Sequence, residues 1–287
     1  MASTTENRNI MDGDPPEATL PADRSSDMGF LDHLEELRWR IIKGLAGLVV
    51  GIIIAFFFAD FIIDRMLLGP TRADFFVYQM LGIDAIDLVL QSRKLPGQFF
   101  TYWGSVIISG GIIGAPVLFY QLWAFIEPAM EVKEKHNSYF TVVAITFFFL
   151  LGVSFGYFVL TPFAVQFFSK FQIAEVIHND FDINKYFAAV TMWVLSCGVL
   201  FQMPVLSYFL SRFGLINPQF LKLYRKHALI AALVLAAFLT PPDPVSQILI
   251  AVPLVMLYQF SISVSRYANR KRDKEIWGED VPDYRKE

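Results

Sequence analysis

One cysteine, Cys197, stands in a chain of 287 residues, so no disulfide can close within it and no cysteine cage can hold a metal. Histidine is nearly as scarce. The four histidines, His33, His136, His178 and His227, are scattered, and none falls in the middle of an apolar run beside a carboxylate. HExxH, GxSxG and GxxxxGK[ST] are all absent, which removes the signatures of a zinc protease, a serine hydrolase and a phosphate-binding loop. The net charge of −3 is too small to argue for a nucleic-acid partner. Residues 1–27 are polar and proline-bearing, without the apolar core of a secretory signal, and read as a disordered tail.

What fills the chain instead is hydrocarbon. Hydrophobic residues make up 55% and aromatic residues 16%, and the mean hydropathy is +0.46, the composition of an integral membrane protein. Runs free of formal charge cover roughly 44–59, 99–126, 139–169, 186–211, 228–242 and 244–265, six candidate spans that would leave both chain ends on one side. Lys and Arg gather in alternate connections: Arg38, Arg40 and Lys43 before the first run, Lys133 and Lys135 after the second, Arg212, Lys222, Arg225 and Lys226 after the fourth, and Arg266 to Lys274 after the sixth. By the positive-inside rule both termini are cytoplasmic. The predicted fold class is therefore all-α, with a six-helix membrane domain over 28–268 and a charged, frayed cytoplasmic tail over 269–287.

Local signals refine this. The stretch 75–90 is interrupted by Asp84 and Asp87 and reads as an interfacial or cap-like helix on the outer side rather than a crossing. The fifth run is purely apolar only from Ala228 to Leu239, which at 1.5 Å per residue covers about 18 Å of a core near 30 Å. Asn217-Pro218 and Asp243-Pro244 each offer a capping side chain followed by proline in the first helical position. Asp243 is accordingly read as structural. Pro116, Pro204 and Pro253 fall inside spans and predict kinks, while Gly47 and Gly51, Gly110 and Gly114, and Gly152 and Gly156 form small-xxx-small pairs suited to close helix packing.

The spans carry no ionisable group near their middles, which argues against an ion-coupled transporter of small solutes. The deepest polar side chain is Gln202, beside Pro204, and it reads as a hydrogen-bond partner within the bundle or towards another helix, or as a substrate contact. Polar interest lies in FLDHLEELRWR, residues 30–40. A helix there puts Asp32, Glu36 and Arg40 in an i, i+4 series. That arrangement fits a solvated interfacial helix with a simple Glu36–Arg40 pair; together with Glu134, on the same side after the second run, it equally fits two carboxylates awaiting two guanidinium groups.

FLDHLEELRWR, LGP at 68–70, APVLFYQLWAFIEPAM at 115–130, FQMPV at 201–205 and LTPPDPVSQILIAVPLVMLYQFSI at 239–262 together resemble the TatC family of twin-arginine protein translocases, from about residue 28 to 268. The resemblance implies a concave, glove-like six-helix bundle in the bacterial inner membrane. It also implies the receptor for signal peptides with consecutive arginines, which exports folded proteins using the proton-motive force, without catalytic residues, cofactor or metal. Glu36 and Glu134 match the family's recognition carboxylates, and Arg38 matches a position whose role is close to signal recognition. Gln202 matches a buried polar position where some members have Glu, and Pro70 and Pro128 fall in the matching blocks as structural residues. Implied partners are the single-span TatA and TatB subunits, the signal peptides of folded cargo, the lipid bilayer and further copies of the chain.

Overall fold

The computed structural model describes residues 30–84, 87–127, 138–174, 176, 179–239 and 244–277. The predicted tail over 1–27, Pro128, Glu134 and Asp243 lie outside the described residues. Helix α1 runs over Phe30–Phe57. A short α2, Ala59–Phe61, passes into a π-helical turn at Ile62–Leu67 and a 3-10 turn at Gly69–Thr71, followed by α3 at Phe76–Leu81. Helix α4 spans Gly97–Ile126. The third long helix is built from α5, Ser138–Phe155, a π-helical turn at Gly156–Leu160 and α6, Thr161–Lys170. Helices α7, Ile183–Leu200, and α8, Met203–Arg212, make the fourth, and α9, Pro218–Leu223, α10, Arg225–Leu239, and α11, Pro244–Trp277, complete the chain.

Four of these helical stretches, Leu34–Phe57, Gly97–Ile126, Tyr139–Lys170 and Ile183–Arg212, are long and apolar enough to cross a bilayer. The protein is therefore a multi-pass membrane protein. Helix α10 has 15 residues, about 22 Å of rise against a core of about 30 Å, and α11 is 34 residues long with its charged half at the C-terminal end.

Glycine sets how closely the first two long helices approach. A methyl group at Gly51 would lie 2.7 Å from the backbone nitrogen of Gly114, and one at Gly114 would lie 2.8 Å from the carbonyl oxygen of Gly47. The two pairs thus interlock backbone against backbone, with α1 and α4 antiparallel. Gly152 and Gly156 do the same for the third helix against α7, facing Cys197 O at 2.5 Å and Val194 Cα at 2.8 Å. Without a hydrophobic drive between helices in lipid, this close van der Waals contact is what holds them.

The prolines behave in two ways. At Pro204 the helix is broken at Phe201–Gln202 and restarts with the proline in its first turn, where no donor is lost. Pro116 and Pro253 lie inside helices that continue through them. Asn217 occupies the position before Pro218 with extended backbone, yet its side chain makes no capping bond. Helix α11 begins at Pro244 as its sequence indicates.

The stretch 75–90 departs from the sequence reading. Among its described residues only Phe76–Leu81 is helical, because Gly82 adopts a left-handed φ of 65° that ends the helix. The chain then extends into β1, Leu90–Gln91, which pairs in parallel with β2, Phe181–Asp182. This two-residue ladder is the one amendment to an all-helical class among the described residues. Charge pairs reinforce it: Arg93 with Asp180 at 3.2 Å, and Lys170 with Asp84. Three tyrosines hold the preceding turn. Tyr157 donates to Met66 O at 2.6 Å, Tyr186 to Leu67 O at 2.8 Å and Tyr78 to Pro70 O.

At the opposite membrane face α8 and α11 share a polar clasp. Ser211 and Ser265 hydroxyls meet at 2.6 Å, and Arg272 donates to Ser211 O at 3.2 Å. Ser211, Ser265, Asn269 and Asp273 are all buried. The charged end expected to fray from Asn269 is therefore ordered helix as far as Trp277.

Candidate functional site

The first candidate residue sits near the start of α1. Glu36 Oε1 accepts from Arg40 Nε at 2.8 Å and from Arg40 Nη2, the i, i+4 pair that helix geometry favours. Both side chains are about three-quarters buried, at 23% and 26% exposure. The second carboxylate oxygen, Oε2, is shielded from solvent and has no hydrogen-bond partner among the described residues. A shielded anionic oxygen with an unused acceptor site is costly, and a guanidinium is the group that would satisfy it in a two-bond geometry.

The register of α1 on α4 places this carboxylate. From Gly51, which faces Gly114, the chain rises roughly 22 Å back to Glu36, and from Gly114 α4 rises roughly 18 Å to its end at Ile126, within about one turn of the same level. The connection 128–137, which contains Glu134, leaves from that end. Glu36 and the end of α4 therefore lie towards the same end of the bundle. Arg38 is not gathered with them: two residues from Glu36 it lies about 200° around the helix, and it is exposed. Leu34 and Ile41 are exposed as well, at 44% and 45%.

Gln202 occupies the break between α7 and α8. Its Nε2 donates to Ile145 O of α5 at 3.3 Å, tying the fourth long helix to the third where the fourth is interrupted. Pro70 is fully buried in its turn and lends its carbonyl to Tyr78. Among the described residues no group of His, Cys, Asp or Glu is gathered to hold a metal ion.

Sequence reading missed the tyrosine clamp, the Ser211–Ser265 contact and the cap that Asp182 forms on α7 by accepting from the backbone of Asn184 at 2.9 Å and Lys185 at 3.2 Å. The Asp182 cap had a local signal, an acidic residue immediately before a helical run. The other two join residues far apart in sequence and had none.

This is a polytopic helical membrane protein with a partly buried Glu36–Arg40 pair near the start of its first long helix. The chain belongs to the TatC family, Sec-independent protein translocase proteins, whose family model matches residues 32–253. It is 37% identical over 261 residues to the TatC protein of a Blattabacterium from Periplaneta americana, covering 86% of this chain and 98% of that one. It is 34% identical to TatCy of Bacillus subtilis, over 87% and 93% of the two chains. A crystal structure of a twin-arginine translocase receptor, TatC, superposes with a TM-score of 0.67 at 30% identity, over 83% of this chain and 100% of that one. The protein is thus a membrane component of protein transport by translocation.

Proposed function

We propose that the chain is the signal-peptide receptor and core subunit of a twin-arginine translocase in a bacterial inner membrane. In this reading the chain crosses six times as a glove-like bundle over 28–268, with α10 and α11 as the fifth and sixth spans, and both termini are cytoplasmic. Glu36 and Glu134 accept the two consecutive arginines of a signal peptide, and Arg38, on another face of α1, takes part in signal recognition. TatA- and TatB-type single-span subunits pack on the bundle, Gln202 offers an intramembrane polar contact, and the proton-motive force drives passage of folded cargo. Pro70, Pro128 and Asp243 hold turns.

The observation that carries the reading is Glu36 Oε2, a shielded carboxylate oxygen without a partner among the described residues in a chain of the TatC family. Arg40 already uses the other oxygen, so an incoming guanidinium joins or displaces it. Arginine suits this half-dry site better than lysine, because its planar fork makes two parallel bonds and loses less hydration. The test is capture of the protein from solubilised membranes by a twin-arginine signal fusion and by its Lys-Lys counterpart. Retention by the first and not the second is expected; equal retention, or none by either, would refute the receptor role.

A further inference from the structure

We propose that the crevice between α5, α8 and α11 is a binding site for one acyl chain of an anionic phospholipid. Its walls are Phe140, Ala144 and Phe148 from α5, Val205 from α8, and Phe260 and Val264 from α11, and it encloses 240 Å³. Only Thr141 and Tyr208 bring hydroxyls to it. Phe140 and Phe260 are 74% and 49% exposed, so the crevice opens sideways towards the bilayer.

An apolar cavity of this kind does not hold water; even one near 150 Å³ stays dry and takes up small hydrocarbons. Something apolar therefore occupies it in the membrane, and size decides what. A helix is at least 10 Å across, so the roughly 670 Å³ of empty space in and at the mouth of the crevice corresponds to only ~9 Å of helix length. A transmembrane partner could seat less than two turns there, under a third of a span, whereas an acyl chain fits lengthwise.

The charge at one end of the crevice selects the lipid. Along α11 the lining residues Phe260 and Val264 continue at helical spacing to Tyr267 and Lys271, of which Tyr267 is 66% exposed and Lys271 partly so. Arg266 and Arg270 are exposed beside them. An aromatic ring and a lysine one and two turns beyond an apolar crevice are placed as an interfacial anchor and a phosphate partner. This end lies on the face that bears Glu36, the cytoplasmic one in the orientation proposed above; the crevice itself does not depend on that orientation. Basic pockets between spans on that side favour anionic headgroups.

Native mass spectrometry of the detergent-solubilised full chain, titrated with phosphatidylglycerol or phosphatidylcholine, tests the site. Wild type should bind the first phosphatidylglycerol ~5-fold more tightly than phosphatidylcholine, the equivalent of one lysine near the headgroup. Ala144→Phe, which fills the crevice, should weaken the first binding step for both lipids. Lys271→Gln should abolish only the preference. Unchanged binding by Ala144→Phe, or an undiminished preference in Lys271→Gln, would overturn the proposal. A chain carrying Thr141→benzoylphenylalanine keeps the question open to measurement should the filled variant misfold: photolysis in membranes should yield a lipid adduct, and an adduct with a single-span subunit in its place would assign the crevice to a helix and refute the lipid.

Discussion

The hydroxyl of Tyr186 donates to the carbonyl oxygen of Leu67 over 2.8 Å, across 119 residues of sequence. With Tyr157 on Met66 O at 2.6 Å and Tyr78 on Pro70 O, it fixes the turn that follows the first long helix to the third and fourth. Burial pushes the Tyr78 hydroxyl up to about 12, so this bond persists over the whole working pH range. The turn and the two helices form one body.

Tyr186→Phe removes one of the three bonds and leaves the Leu67 carbonyl without its donor while preserving the ring. A loss of about 1 kcal/mol is expected, within the range for hydrogen bonds in membrane proteins. Thermal unfolding in detergent should register it, together with faster hydrogen exchange around 67–71. An unchanged melting temperature would mean that the clamp is redundant.

The charge pairs around Asp84 and Asp64 should respond to acid. The hydrogen bond from Lys170 holds the Asp84 carboxyl below its ordinary value, and Arg72 does the same for Asp64. A group with a depressed folded value stabilises the fold above its unfolded value, near 4, and loses that contribution as pH falls through the folded value. Hydrogen exchange over 87–91 should therefore quicken as pH drops below about 4, once intrinsic exchange is subtracted. Asp84→Asn should show the faster rate already at neutral pH and little further change.

The glycine seam predicts a sharp contrast between neighbouring positions. A side chain at Gly51 meets the backbone nitrogen of Gly114 at 2.7 Å, whereas one at Gly111 meets nothing within 4 Å. Gly51→Leu should force α1 and α4 apart at a cost of about 1–3 kcal/mol or more and reduce the amount of protein in the membrane. Gly111→Ala should accumulate as the wild type does. Equal levels of Gly51→Leu and wild type would contradict the packing described.

Much of this architecture is legible in the sequence because lipid imposes simple rules on it. A run such as 99–126 must be helical to satisfy its own backbone, and the paired glycines announce close approach before any partner is known. The first carboxylate was legible too, since Glu36 and Arg40 pair by helix spacing alone. Other features depend on tertiary contacts that no local pattern encodes. The helix expected over 75–90 stops at Gly82, and the extended chain beyond it finds a partner strand at Phe181–Asp182, nearly a hundred residues on. The charged end after Asn269 looks like a solvated tail until α8 supplies Ser211 to hold it. The shielding of Glu36 Oε2 likewise arises from packing at the end of the bundle.

The receptor reading rests on that oxygen, and one measurement addresses it. Photocrosslinking of a twin-arginine signal peptide to inverted membrane vesicles should be compared for wild type, Glu36→Gln and Glu36→Gln combined with Glu134→Gln. Removing one partner of a charge pair at a half-wet surface costs about 1–2 kcal/mol, less than at a fully buried one. Labelling of Glu36→Gln should therefore fall roughly 5- to 30-fold, and further in the double variant, while the membrane level of each protein stays within experimental scatter of the wild type. Full labelling of the double variant by the Arg-Arg peptide, at an undiminished protein level, would contradict the assignment of these carboxylates as the site that binds the arginines.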